Sequence, residues 1–262
     1  MPSLHHRPPF APFMLGLWAC ALVYAVLDGP SVWWIASYCC HFFLFTFGVG
    51  FGLHRIIAHK AANLPAWIRN SAALVGVLGQ GGSPMSWQTT HLMHHARSDG
   101  EGDPHAPSIL GWRVILGAAE PVPKDYIIER ALRDPGLRDP FLLSLHKYYY
   151  LLTAIYAVAA FVIFGFHGLI YLAVLPMGFS MLSLGLLNYF AHAKNQPQNV
   201  WWLFPLTFGE NWHGNHHRHP SAQNCGGRFF EIDLIGLIYF GLTKPFCKKE
   251  FSRNAPAYRE SQ

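Results

Sequence analysis

Two pairs of long apolar runs limit what this chain can become. Residues 10–27 and 31–53 are almost free of charge and are separated only by Asp28, Gly29 and Pro30. Residues 148–164 and 169–191 form a second pair around Gly165–Gly168. A helix needs roughly 20 apolar residues to cross the hydrocarbon core of a bilayer. Each pair is therefore expected to form a helical hairpin that returns the chain to its starting side. Of the 262 residues, 52% are hydrophobic and only 13% are charged, against about 25% charged in soluble domains. The expected fold is all-α and integral to the membrane. It consists of one domain over residues 1–262, with four transmembrane helices and a helical cap made of 54–147 and 192–262.

The stretch 54–147 carries Lys60, Arg69, Arg97, Arg113, Lys124, Arg130, Arg133, Arg138 and Lys147. Positive loops stay inside, so the cap and both termini are expected on the cytoplasmic side. This suits a bacterial inner membrane or an ER-type membrane. Within the loop, Ala66–Leu78 is apolar but too short to span, and is expected on the membrane face. Pro176 and Gly178 are expected to kink the last span. Tyr148–Tyr150 and Trp201–Trp202 are candidate interfacial anchors. The net charge of +5 suits anionic head groups or a phosphorylated carrier, and the absence of a basic run or reader motif argues against nucleic acid. Five cysteines without CxxC spacing (Cys20, Cys39, Cys40, Cys225, Cys247) point to no disulfide framework.

The compositional outlier is sixteen histidines. His91, His94 and His95 stand at i, i+3 and i+4, and so do His213, His216 and His217. That spacing puts three imidazoles on one helix face, close enough to share a metal. His54 and His59 sit where the second run ends, and His192 follows Asn188 by four residues where the fourth run ends. On this topology all nine reach one depth on one side. His5, His6, His41, His146 and His167 lack a partner pattern and read as structural; His105 and His219 lie near a box but off its spacing. Nine imidazoles are too many for one tetrahedral zinc and fit two metals of four to five nitrogens each. No HExxH is present, and the boxes lack the Glu-x-x-His pairs of carboxylate di-iron bundles. A nitrogen-rich pair of iron ions with open positions for O2 is the better match, with Asn188 holding a metal-bound water. Asp99, Asp103 and Glu210 can accept the outer N–H of ligating imidazoles; the alternative is that they are solvated loop carboxylates.

With these residues in view, the chain resembles the membrane fatty acyl desaturases, specifically the Δ9, acyl-CoA desaturase-like group. That group pairs an HRxxxH box with HxxHH, NxxxH and GExxHxxHH. Here these read His54–His59, His91–His95, Asn188–His192 and Gly209–His217, with Trp87 four residues before the second box and Asp103-Pro104-His105 after it. The five-residue step from His54 to His59 differs from the four-residue step of Δ12 and ω3 desaturases. The resemblance covers about residues 35–220. It implies two irons held by the nine histidines and by Asn188 through water, and O2-dependent removal of two hydrogens from an acyl chain. An acyl-CoA, acyl-carrier protein or acyl-lipid would be the substrate. A separate ferredoxin, rubredoxin or cytochrome b5-type protein would bring two electrons. The second box reads His91-Leu92 where the family has His-Arg, and the chain carries no HPGG-bearing domain. A hydroxylase or acetylenase on the same scaffold would carry the same boxes. A non-catalytic metal-binding or transport protein would want ligands along the spans, where only His41 and His167 stand. The first span and Gly48–Leu53 are expected to line the acyl tunnel.

Overall fold

The computed structural model describes residues 10–244. His5, His6, Cys247, Lys248, Lys249, Arg253 and both termini lie outside the described residues. Within them every regular element is helical. Three helical runs are long and apolar enough to cross a membrane: Ala11–Asp28, Val32–Ala58 and Tyr149–Phe190.

Helix α1 (Phe10–Asp28) ends at Gly29, whose φ of +86° suits a residue without a Cβ. α2 (Val32–Phe43) continues without a break as π-helical winding over Leu44–Ala58. The helix therefore runs five residues past the end at Leu53 that hydropathy predicts. His54 and Arg55 are inside it, both buried. Polar residues end a hydropathy window but not a helix whose polar groups find buried partners.

Gly48 and Gly52 were expected in a tunnel wall. They are instead where this helix touches α3 (Ala66–Leu78). A Cβ on Gly48 would lie 2.5 Å from the Gly76 nitrogen and 2.7 Å from the Val75 oxygen, and one on Gly52 would lie 2.7 Å from the Ala72 carbonyl. Backbone cannot yield as a side-chain tip can. Gly48→Ala is therefore expected to cost at least the roughly 1–3 kcal/mol of an overpacked core. Gly16→Ala, where nothing lies within 4 Å, is expected to leave the melting temperature in detergent unchanged. Equal melting of the two variants would contradict this packing.

The third run has 42 residues. At about 1.5 Å per residue it would measure roughly 63 Å if straight, twice the ~30 Å hydrocarbon core. It does not run straight. α8 (Tyr149–His167) contains Gly165 at φ 66°, ψ −155°, a conformation open essentially to glycine alone. Beyond it the chain doubles back through Gly168–Val174, π-helical, into α9 (Leu175–Phe190). The Tyr156 hydroxyl donates to the Leu172 carbonyl at 2.5 Å. Pro176 sits at the N-terminal end of α9, where its missing N–H costs little.

The two reversals meet. Asp28 accepts from Tyr171 at 3.0 Å and pairs with His167 at 3.3 Å, while Trp33 stacks on His167. His41, inside α2, lies between the Ser180 hydroxyl and the Leu206 carbonyl, a satisfied structural histidine. Tyr148, Tyr150, Trp201 and Trp202 are exposed as anchors require, but Tyr149 is buried and donates to Gln80.

Candidate metal centre

The imidazoles gather at the end away from the two reversals. α4 (Pro84–Arg97) starts at Ser83, whose hydroxyl accepts from the Ser86 N–H, and has proline in its first turn. It carries His91, His94 and His95. The short helix His213–Arg218 carries His213, His216 and His217, and His192 follows the end of α9. His54 and His59 come together through the π winding. In an α-helix residues five apart are about 1.4 turns apart, whereas the i→i+5 pattern of a π-helix stacks them one turn apart. The His59 N–H bonds the His54 carbonyl at 3.1 Å, and the two rings are 4.9 Å apart.

All nine histidines converge, but each HxxHH box does not serve one point. Ring nitrogens of His54, His59, His91, His95 and His216 lie within 4.8 Å of one another, and those of His94, His192, His213 and His217 form a second such group. The i, i+4 pair of each box faces one group and the i+3 residue faces the other. The expectation that three neighbours share one metal is thereby corrected. Opposite sides of one helical stripe diverge enough to serve two centres. The rings of His95 and His217 stack at 4.2 Å, one from each group.

The nitrogens fit metal ions better than they fit one another. In the first group Nε2 atoms are 2.8 Å apart for His59 and His91, 3.0 Å for His95 and His91, 2.9 Å for His216 and His95, and 3.0 Å for His54 and His216. In the second they are 3.2 Å for His94 and His217, and 3.0 Å for both His213–His192 and His217–His213. A ring nitrogen carries either one proton or one lone pair, so a nitrogen touching two others bonds only one. At metal–imidazole bonds of roughly 2.0–2.1 Å, ligands at right angles are about 3.0 Å apart and tetrahedral ones about 3.4 Å. The observed spacings, from 2.8 to 3.2 Å, are those of imidazole nitrogens near enough to share one ion.

Carboxylates hold the outer nitrogens. His54 Nδ1 meets Glu210 at 2.6 Å, His94 Nδ1 meets both oxygens of Asp103 at 2.9 Å, and His192 Nδ1 meets Asp99 at 3.0 Å. All three carboxylates face imidazoles rather than solvent, and Asp103 is fully buried. An Nδ1–H donated outward leaves the Nε2 lone pair facing in. Asp103→Ala is expected to weaken metal binding about 10–100-fold, as read by competition with a chelator; unchanged affinity would separate Asp103 from the centre.

Burial, and then the charge of neighbouring imidazoles, pushes His95 down to about 3 and holds His91, His94, His213 and His216 well below the usual range. His59 and His217 shift the same way for the same reasons. The neutral form is the one that binds metal. The unfolded chain protonates these rings near pH 6.5, whereas the fold resists. Below that pH the unfolded state binds more protons, so stability falls as pH falls. Metal-free protein is expected to melt progressively lower from pH 7 to pH 5; a flat profile would contradict it.

Further residues surround the clusters, and the contacts they make are not legible from spacing. Trp87 stacks on His91 at 5.7 Å and 15°. His105 packs on His94 at 4.6 Å and joins His94 and Asp103 in a third, smaller cluster. Arg55, fully buried, donates to both oxygens of Asp233 at 3.0 and 2.9 Å, to Glu210 at 3.3 Å and to the Gln223 carbonyl at 2.8 Å. Arg55 thus ties the carboxylate that holds His54 to a segment beyond the last histidine box. Asn188 lines a small pocket with Trp87, His91, His105 and Leu184. A second small pocket shares Leu184 and Asn188 and reaches Ala11, Gln80 and Met181. His146 bonds Ser83, and His219 is exposed.

Apolar helices of membrane length, with two all-imidazole clusters at one end, define a membrane protein built around a histidine-rich site that can hold metal. The chain belongs to the fatty acid desaturase family, whose profile matches residues 31–224, and is thereby an oxidoreductase of lipid metabolism. It is 31% identical over 206 residues to the sn-2 palmitoyl-lipid 9-desaturase of Nostoc sp. (strain 36), covering 74% of this chain and 72% of that protein. It is 30% identical to Delta-9 acyl-lipid desaturase 1 of Arabidopsis thaliana over 73% of this chain and 66% of the relative. Against the sn-1 stearoyl-lipid 9-desaturase of Anabaena variabilis, identity is 27% over 85% of each.

Proposed function

We propose that this protein is an O2-dependent di-iron desaturase that places a Δ9 double bond in the acyl chain of a membrane lipid. The observation that carries the reading is the pair of nitrogen-only clusters, five imidazoles and four, with His91 of the first lining a pocket that Asn188 also lines. His54, His59, His91, His95 and His216 would hold one iron and His94, His192, His213 and His217 the other, with Asn188 acting through water. Together with O2 and two electrons, these ions supply the oxidising power that an unactivated methylene demands.

The chain's own residues do the rest. Glu210, Asp103 and Asp99 fix the tautomers of His54, His94 and His192, and Trp87 fixes the plane of His91. Leu184, Met181, Val114 and Ala11 line two neighbouring pockets with apolar side chains; an acyl chain held along them would have adjacent carbons positioned and water kept out. A lipid as carrier is supported by the names of the relatives and by cavity walls without Lys or Arg among the described residues. The doubling back at Gly165 gives four crossings. With basic residues concentrated in 54–147, the centre faces the cytoplasm.

The test is mass spectrometry of fatty acids from cells expressing the protein. Loss of two hydrogens with unsaturation at carbon 9 is expected. Gain of one oxygen, or an unchanged saturated profile, would overturn the assignment.

A further inference from the structure

Glu210, Asp103 and Asp99 hold the outer nitrogens of His54, His94 and His192. The shortest nitrogen–nitrogen distance in either group, 2.8 Å between His59 and His91, belongs to a pair that these three carboxylates do not hold. His91 sits within α4, but His59 only caps the π winding, and residues 60–65 beyond it are irregular. Ligand side chains must be held within about 0.5 Å of the productive geometry, so something else has to fix this pair.

A fourth buried carboxylate reaches both segments. Asp134 Oδ1 takes up the Lys60 ammonium at 2.7 Å, and Oδ2 accepts from the Gln88 amide at 2.8 Å. Lys60 directly follows His59, and Gln88 precedes His91 by three residues on α4. The same Gln88 nitrogen donates to the Ile57 carbonyl at 2.7 Å, so both its protons are used. Ile57 is two residues before His59. Lys60 takes φ +50°, a conformation that a residue with a Cβ keeps only where its surroundings impose it. Asp134 is itself fixed. It is 3% exposed, accepts the Gly136 N–H at 2.9 Å, and stands between the helix Lys124–Arg133 and the turn Pro135–Arg138.

The Lys60–Asp134 ion pair contributes little to stability, because the lysine side chain is 55% exposed and exposed pairs are weak. Its effect is on position. We infer that Asp134 is a positioning residue for the five-imidazole group: through Lys60 and Gln88 it sets where His59 and His91 present their ring nitrogens to a metal ion. The inference rests on the di-metal reading above. The four-imidazole group has carboxylates of its own on His94 and His192 and is expected to be indifferent to Asp134.

The test is metal binding by the purified full-length chain, loaded without oxygen with Co(II), whose visible absorption reports its coordination, and competed with a chelator. Wild type is expected to bind two ions. Lys60→Met and Asp134→Asn are expected to hold one of them about 10–100-fold more weakly and to change its absorption, while the other ion keeps wild-type affinity. Lys60→Met added to Asp134→Asn should weaken that ion no further, since both act through one carboxylate. Arg133→Gln, at an exposed residue paired with Glu129, should bind both ions as wild type does. If Asp134→Asn does not fold, Lys60→Met decides, because its side chain is half exposed. Wild-type affinity and absorption in Lys60→Met would overturn the assignment. So would equal weakening of both ions, which a merely structural role produces, or additive losses in the double variant. A wild-type chain that binds no Co(II) would defeat the di-metal reading and this inference with it.

Discussion

His216→Ala is expected to abolish desaturation and to lower bound iron. The His216 Nε2 stands 3.0 Å from that of His54 and 2.9 Å from that of His95, so its loss opens the middle of the five-imidazole group. His94→Ala should do the same to the second group through a different route, because His94 also carries the Asp103 contact. Fatty acid profiles should fall to the vector-only background in both, with metal content below wild type. The neighbouring exposed His219→Ala serves as control and should leave both readouts unchanged. Full product formation by either cluster variant would break the link between the imidazoles and the chemistry.

Arg55→Met is expected to be the most destabilising single change in the cap. Arg55 and Asp233 are both almost fully buried, and Glu210 is 4% exposed. Removing the guanidinium leaves two carboxylates facing each other without a cation, and breaking a buried ion pair from one side costs about 3–5 kcal/mol. Folded protein should be scarce at 37 °C, and what remains should melt well below wild type. Adding Asp233→Asn to Arg55→Met should restore part of the loss, because it removes one of the stranded charges. Wild-type melting of the single variant would show that the ion network contributes little.

How far these features were legible differs by residue, and the reasons are physical. The HxxHH spacing identifies a helix face because i, i+3 and i+4 are neighbours at any burial. It cannot say that i+3 serves a different cluster from i and i+4, since that depends on where two helices cross. The His54–His59 step looked like a span exit because hydropathy falls there. The π winding that aligns the two rings has no signature in residue type beyond the glycines at 48, 50 and 52. Asp99, Asp103 and Glu210 were readable as candidates from proximity to the boxes, whereas Asp233 lies sixteen residues past His217 and shares no spacing with them. Its clue was Arg55 itself: an arginine held in an apolar helix needs a buried carboxylate somewhere. Tyr149 looked like one of three interfacial rings, and only the packing of α8 on Gln80 turns it inward.

Two groups of imidazoles, five and four, are proposed to bind two iron ions. Iron and protein should be quantified together on purified full-length chain from iron-supplemented cells, alongside His94→Ala and His216→Ala. About two irons per wild-type chain are expected, with less in each variant. A wild-type chain that carries no iron, or variants that keep the full complement, would contradict that assignment.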